Sequence, residues 1–555
     1  SRDASPHTQI SFLGVPATEL RSVRVSGSRS GSHSGHLLAY PQGDGASFVP
    51  RRAFAEGERV TVRAAVHQGS STHALYDVFI VAEQDQISET PEHRHRGNRA
   101  EVQHFQSRAD LNPPTVTVTA ASSQAAPGEI FTAPYNGPGE AGPMILESSG
   151  ALVWFKPLPA GKEAANLQVQ AYRGAPALTW WQGDISVHGF GLGEDIVADA
   201  TYSDIAHVRA GNGYLADLHE FRLQPNGTAL ITAYAPIRCD LTAVAGAREG
   251  AVVDGVLQEI DVKTGLVRFE WTSLDHVHLD ESYERAARSS VSFPFDYFHI
   301  NSINVDADDS LLISARNTWT VYDLDRRSGQ VHWRLGGKRS SFHMGAGTGT
   351  AWQHDPRELQ PGVISIFDNG AAPKVRAQSR GIVVRLDERH ATASLVAQLT
   401  HAPPVLADSQ GNLQALANGD WFLGWGERPY FSELSPGGAV LLDAHFPSGV
   451  ESYRDLRFPW TGTPAHRPAL AFTAAAGGGG TAYASWNGAT LVSAWRALAG
   501  TSPDNLAAIA QVPRSGFETA IPLPAGSTGA YLTVEALDSA GAVLATAAVA
   551  STAGR

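Results

Sequence analysis

The chain has 555 residues, 43% of them hydrophobic, a formal net charge of -13 and a single cysteine, Cys239. That length provides apolar surface for a large core plus accessory modules. The acidic balance has no compensating basic run, which argues against a grip on nucleic acid or an anionic membrane surface, and one cysteine excludes an intrachain disulfide or a Cys-based metal cluster. No run approaches the roughly 18 apolar residues of a spanning helix, so no membrane span is predicted. Cysteine avoidance and a start at Ser1 without an initiator Met lead to the expectation of a processed, secreted, extracellular protein.

Apolar runs are short, alternating and punctuated by Gly and Pro, the pattern of many short strands. The fold class predicted is all-β. In chain order, 1–82 contains SVRVSG and RVTVRAAV between turn residues, as in a small β-sandwich. Residues 83–125 are polar, contain EHRHRGNR and are expected to be a linker or excursion. The histidines there lack a second cluster to complete a site, so a solvated loop is expected and no metal is predicted.

From 126 to 465 the chain repeats itself. LHEFRLQPNGTALITAY from Leu218, FHINSINVDADDSLLISAR from Phe298, WQHDPRELQPGVISIFDNG from Trp352 and SQGNLQALANGDWFLGWG from Ser409 each run from a polar opening through a strand and a turn into an apolar strand. A second hairpin repeat alternates with the first, for example LQEIDVKTGLVRFEW and VYDLDRRSGQVHWRL. Two hairpins make one four-stranded blade, and the spacing predicts a β-propeller of about six blades. Residues 466–480, with AAAGGGG, are expected to be a Gly-rich linker, and 481–555 a second small β-sandwich.

Innermost propeller strands line an axial channel, so equivalent repeat positions converge. His219, His299 and His354 open three successive hairpins. Asn301, two residues past His299, is expected on the same strand face. Arg316 ends the partner strand, and Arg380 is expected to open the following blade. Two other readings of the histidines are hydrogen bonding to neighbouring blades and a three-His metal site.

HEFRLQPNGTALITAY, HINSINVDADDSLLISARNT, WQHDPRELQPGVISIFDNG and QSRGIVVRLDE resemble successive segments of the arylsulfotransferase family, whose members do not use the nucleotide sulfate donor. The resemblance covers roughly 130–463. It implies a six-bladed propeller without a cofactor that passes a sulfuryl group from an aryl sulfate to a phenolic acceptor through a sulfohistidine. By that resemblance His354 matches the sulfurylated histidine, His219 and His299 bind oxyanions or shuttle the proton, Asn301 donates to the sulfate and Arg316 clamps it, with Arg380 a further cation. Trp181, Tyr297 and Trp352 are candidates to stack an aryl group. Asp355 and Pro356 depart from the family pattern, as does the single cysteine, since the bacterial members known for this activity carry a disulfide. A carboxylate beside the nucleophile is tolerable if it points outward. The competing readings are a carbohydrate-active lyase or hydrolase acting on a polysaccharide, the hydrolase drawing on Glu220, Asp296, Asp355 and Glu358, and a non-catalytic binding propeller.

Overall fold

The computed structural model of the protein describes residues 3–85, 98–290, 292–475 and 479–552. Strands and short 3-10 turns account for its regular structure, and no helix among the described residues is long and apolar enough to cross a membrane.

Six antiparallel meanders of four strands dominate the described residues. Blade 1 comprises Glu163–Tyr172, Ala175–Ile185, Gly191–Ala198 and Asp204–Val208. Blade 2 comprises Phe221–Leu223, Thr228–Cys239, Gly250–Asp261 and Val267–Thr272. Blade 3 comprises Ile300–Val305, Leu311–Ala315, Thr320–Leu324 and Val331–Gly336. Blade 4 runs from His354–Gln360 through Val363–Asp368 and Arg380–Asp387 to Thr392–Leu399, and blade 5 from Asn412–Ala415 through Trp421–Gly424 and Tyr430–Leu434 to Val440–His445. Blade 6 is composite: its first strand, Leu456–Phe458, pairs with Glu129–Thr132, which continues into Met144–Leu146 and Leu152–Phe155.

The first strand of each blade touches that of the next, and the ring closes where Leu456–Phe458 contacts both Glu163–Tyr172 and Trp421–Gly424. Stitching the two chain ends into one blade leaves no open sheet edge between blades. Apolar side chains such as Leu257, Phe298 and Ile313 fill the space between blades 2 and 3, and Phe367, Leu413 and Leu423 that between blades 4 and 5.

The first strands are not regular. Those of blades 1, 3 and 4 each contain a register shift, at Ala165/Gln168, Ile300/Ser302 and His354/Arg357. Asn166, His299 and Asp355 there adopt positive φ, at 61°, 57° and 54°. Bulges of this kind re-aim side chains that a flat strand would point elsewhere.

Two expectations about the connections need correction. Within 83–125, Thr117–Ala121 is a strand that extends blade 5 beside Val440–His445; most of EHRHRGNR lies outside the described residues. Within 466–480, Ala469–Ala475 pairs with Gly479–Ser485 and opens the C-terminal sandwich, so 469–475 and 479–480 are sheet; 476–478 lie outside the described residues. Small side chains there suit close strand pairing as well as they suit a linker.

The N-terminal strands form two sheets around Val25, Phe48, Val60 and Phe79. They dock on the outer strand of blade 2, where Ser11 Oγ and the Tyr40 hydroxyl both donate to the Val267 carbonyl and Arg268 pairs with Asp44 at 2.7 Å. The C-terminal sheets, around Trp495, Ile521 and Val534, dock on the outer strand of blade 6, where the Asn487 side chain exchanges two hydrogen bonds with the Phe155 backbone.

Candidate functional site

A cavity of about 390 Å³ opens on one end of the ring, lined at its floor by His219, His299, His354, Arg316, Gln410 and Tyr453. These residues come from blades 2 to 6, and each lies at or just before a first strand except Arg316, which follows the second strand of blade 3. His219 and His299 meet edge to face, with ring centroids 5.0 Å apart at 88°. Tyr453 packs against both His219 and His354, at 5.2 and 6.3 Å.

The three imidazoles have different partners. His219 donates from Nδ1 to Asp217 Oδ2 at 2.7 Å, and His299 from Nδ1 to Asp296 Oδ2 at 2.5 Å. His354 instead donates from Nδ1 to the amide oxygen Oδ1 of Asn369 at 2.7 Å. Two contacts fix that tautomer. Asn369 Nδ2 is committed as a donor to the Gln410 carbonyl at 2.9 Å, which leaves Oδ1 to accept, and the Gln410 backbone N–H donates to His354 Nε2 at 3.2 Å. The lone pair of His354 therefore sits on Nε2.

The electrostatics follow these partners. Burial, followed by the charges of Arg316 and the neighbouring histidines, holds His354 well below the usual imidazole range. It is neutral at pH 7. Burial also lowers His219, while the Asp217 carboxylate opposes that effect; Asp217 itself is held low because the His219 contacts and backbone donors outweigh its burial. A carboxylate behind an imidazole stabilises a proton on the ring, whereas an amide does so far less.

Arg316 is half-buried and, among the described residues, makes no ion pair. Its guanidinium donates to Asn317 Oδ1 and to the Asp408 carbonyl, both at 2.9 Å, and lies 4.8 Å over the Trp352 ring. Asn317 Nδ2 in turn donates to the Asp296 carbonyl at 2.7 Å, tying the cation to the His299 support. A guanidinium satisfied only by neutral oxygens keeps its charge available to an anion.

Below the cavity, Glu220 meets Arg357 at 2.6 Å and Arg454 at 3.1 Å, and both cations also reach Asp355. Burial of Glu220 is outweighed by Arg357 and Arg454, which hold its carboxyl at about 2. Asp355 thus points away from the cavity and into this network. Of the four carboxylates considered for a hydrolase, only Asp296 lines the cavity, and it is engaged with His299; Glu358 accepts from the Ala307 and Gly362 backbones instead.

Several sequence expectations change. Asn301 does not line the cavity: its Nδ2 donates to the Gln353 carbonyl at 2.8 Å, because the bulge beside His299 breaks the strand alternation that would have put both on one face. Arg380 opens the third strand of blade 4 rather than a new blade and is consumed by Asp368, its cross-strand partner, at 2.8 Å. Trp181, Tyr297 and Trp352 are fully buried packing residues, their polar atoms spent on the Ala216, Val277 and Pro373 carbonyls. Among the described residues no three His, Cys, Asp or Glu side chains are placed to share a metal ion.

Sequence reasoning missed Asp217, Asn369, Gln410 and Tyr453, and it named Asp296 only as a hydrolase carboxylate, not as the support of His299. Repeat alignment holds the signal for two of them, since Gln410 in SQGN and Tyr453 in SYRD occupy the histidine position of blades 5 and 6. Asp217, Asn369 and the role of Asp296 are revealed only by hydrogen bonding.

A family model described as Arylsulfotransferase (ASST) matches residues 168–447, half of the chain. No curated protein matches. Among solved structures, a protein of unknown function from Bacteroides caccae aligns at 13% identity and a TM-score of 0.37, covering 60% of this chain and 100% of its own. Virginiamycin B lyase from Staphylococcus aureus aligns at 9% identity and a TM-score of 0.30, covering 59% of this chain and 87% of its own.

Proposed function

The chain belongs to the arylsulfotransferase family, and from that premise we propose that it moves a sulfuryl group from an aryl sulfate to a phenolic acceptor by way of His354. The observation carrying this assignment is the contrast among the histidines: His354 is backed by an amide and keeps a free-base Nε2, while His219 and His299 are each backed by a carboxylate.

In the first half-reaction Nε2 of His354 attacks sulfur. The S–N bond forms as the bond from sulfur to the aryl oxygen breaks, and the leaving phenolate takes the Nε2 proton of whichever ring, His219 or His299, is doubly protonated, with its Nδ1–H held on the carboxylate. The covalent intermediate splits one transfer into two. Because Nδ1 stays protonated toward Asn369, the sulfurylated ring is cationic and leaves readily in the second half. There the acceptor phenol returns its proton to the same carboxylate-backed imidazole, and its oxygen attacks sulfur and frees His354.

Two groups serve the sulfuryl oxygens. Arg316 supplies fixed positive charge. The Gln410 N–H gives up the Nε2 lone pair as Nε2 bonds to sulfur and is then free to donate to a sulfuryl oxygen. Tyr453 and Tyr234 are not proton donors in this scheme, since their hydroxyls are committed to the Asn301 and Ile300 carbonyls and burial raises both phenols.

The test is turnover of p-nitrophenyl sulfate. Release of p-nitrophenol should depend on added phenol and disappear in His354→Ala. Inactivity toward every aryl sulfate, with cleavage of a polysaccharide by the same cavity, would overturn the reading.

A further inference from the structure

The cavity floor accounts for a sulfate and an adjacent ring but not for the mouth. One wall there is surfaced by His188, Phe293 and Phe295, and a series of packed rings runs behind it into the core. Phe293, 54% exposed, packs on His188 at 4.6 Å; His188 stacks on Phe190 at 5.6 Å and 11°; Phe190 stacks on Tyr234 at 4.7 Å and 15°; Tyr234 meets His219 at 5.7 Å. Burial lowers His188, so this ring is neutral and behaves as an aromatic surface. Phe190 and Tyr234 are buried behind this wall and brace His188 and His219, which do face the cavity.

Beside Phe293 on the same rim stand Arg285 and Arg288. Arg285 is the N-cap of a 3-10 turn, Ala286–Arg288, whose last residue is Arg288. Residues three apart on such a turn project on one face. Both are exposed, and among the described residues neither side chain makes a hydrogen bond or an ion pair. Glu284 also lines the cavity, and among the described residues its carboxylate makes no ion pair with Arg285, Arg288 or Arg316. The opposite rim carries Glu427 and Glu451. Two unneutralised guanidiniums at the mouth of a cavity, in a chain whose net charge is -13, concentrate anions where the rest of the surface repels them.

We infer that Arg285 and Arg288 form a second anion subsite, which selects extended aryl sulfates bearing a further negative group at the end remote from the transferred sulfate. The inference rests on the sulfuryl-transfer reading for the nature of the inner group. The substrate class is then a multi-ring phenol sulfate carrying a carboxylate or a second sulfate. Its rings lie against His188, Phe293 and Phe295, with one anion at Arg316 and the other at the arginine pair. A cavity of about 390 Å³ has room for more than a single ring.

A matched pair of donors tests this: a biphenyl sulfate carrying a carboxylate on its distal ring, and the same biphenyl sulfate without it, both with phenol as acceptor. The wild-type protein should favour the carboxylate donor in kcat/KM. Replacing Arg285→Ala and Arg288→Ala together should reduce that preference by about tenfold, mainly through KM, while the neutral donor changes less than about twofold. The paired lysine replacements should retain much of the preference. An unchanged ratio in the alanine variant, or a wild-type preference for the neutral donor, would refute the subsite. Calorimetric binding of the two desulfated biphenyls to both proteins reads the subsite without turnover. If neither donor reacts and yet the carboxylate biphenyl binds more tightly in an arginine-dependent way, the transfer reading fails and the subsite stands; equal binding of the two removes the subsite as well.

Discussion

The backbone N–H of Gln410 donates to Nε2 of His354 at 3.2 Å, from a residue held at φ 64°. A side chain accepts that backbone with some strain, and a β-branched one with more. The same loop holds Arg316 through the Asp408 carbonyl and Asn369 through the Gln410 carbonyl. One segment of blade 5 therefore sets both the nucleophile and the clamp.

Gln410→Gly keeps both the N–H and the left-handed backbone, and its kcat should stay within about threefold of wild type. Gln410→Val strains the same backbone and should lower kcat by roughly tenfold to a hundredfold, the equivalent of about 1–3 kcal/mol. Steady-state kinetics on p-nitrophenyl sulfate distinguish the two.

Asn369→Asp gives His354 the kind of partner that His219 and His299 already have. In the wild type the His354 ring is held well below its usual range, so loss of activity on acidification should not set in near the ordinary imidazole value. A carboxylate behind Nδ1 favours the protonated, non-nucleophilic ring. The acid limb of the pH–rate profile should therefore move up by about 1–3 pH units in the variant.

Asp217→Asn and Asp296→Asn remove the supports of the two proton-carrying rings. Each should slow transfer from a donor with a poor leaving phenol by about 10²- to 10⁴-fold if its histidine carries the proton. The loss should shrink with p-nitrophenyl sulfate, whose phenolate departs without help. The comparison also reveals which histidine serves the leaving group.

Glu220→Gln breaks the pair with Arg454, which is 1% exposed, and leaves that guanidinium short of a partner. Fully unpairing a buried charge costs about 3–5 kcal/mol, and because Asp355 still pairs with Arg454 and Arg357 the loss here should be smaller. Denaturant unfolding should show the loss, with little change in KM for the variant that remains folded.

The propeller is legible in the sequence because each blade restarts with a polar residue ahead of an alternating strand, a pattern that survives one insertion after another. That register alone brings His219, His299 and His354 together. Asn301 is misplaced by the same reasoning, since period-two alternation assumes a flat strand and the bulge at Ile300/Ser302 removes one step from it. Arg380 looks like a free cation until the strand register sets it opposite Asp368. The supports behind the histidines are hidden for a related reason. Asp217 and Asp296 precede their histidines by two and three residues, and Asn369 lies across a hairpin from His354, so no single spacing marks all three. Asp355 lies within the register shift at His354/Arg357 with φ 54°, so it is the bulge, not plain alternation, that accompanies its turn into the Arg357 and Arg454 network.

The most direct test of the central claim is intact mass after rapid quench with an aryl sulfate donor and no acceptor. The account predicts one added sulfuryl group on the wild-type protein, mapped by acid-sparing digestion to His354, lost on addition of phenol and absent from His354→Ala. A stable adduct on another residue, or phenol-dependent transfer by His354→Ala at the wild-type rate, would contradict it.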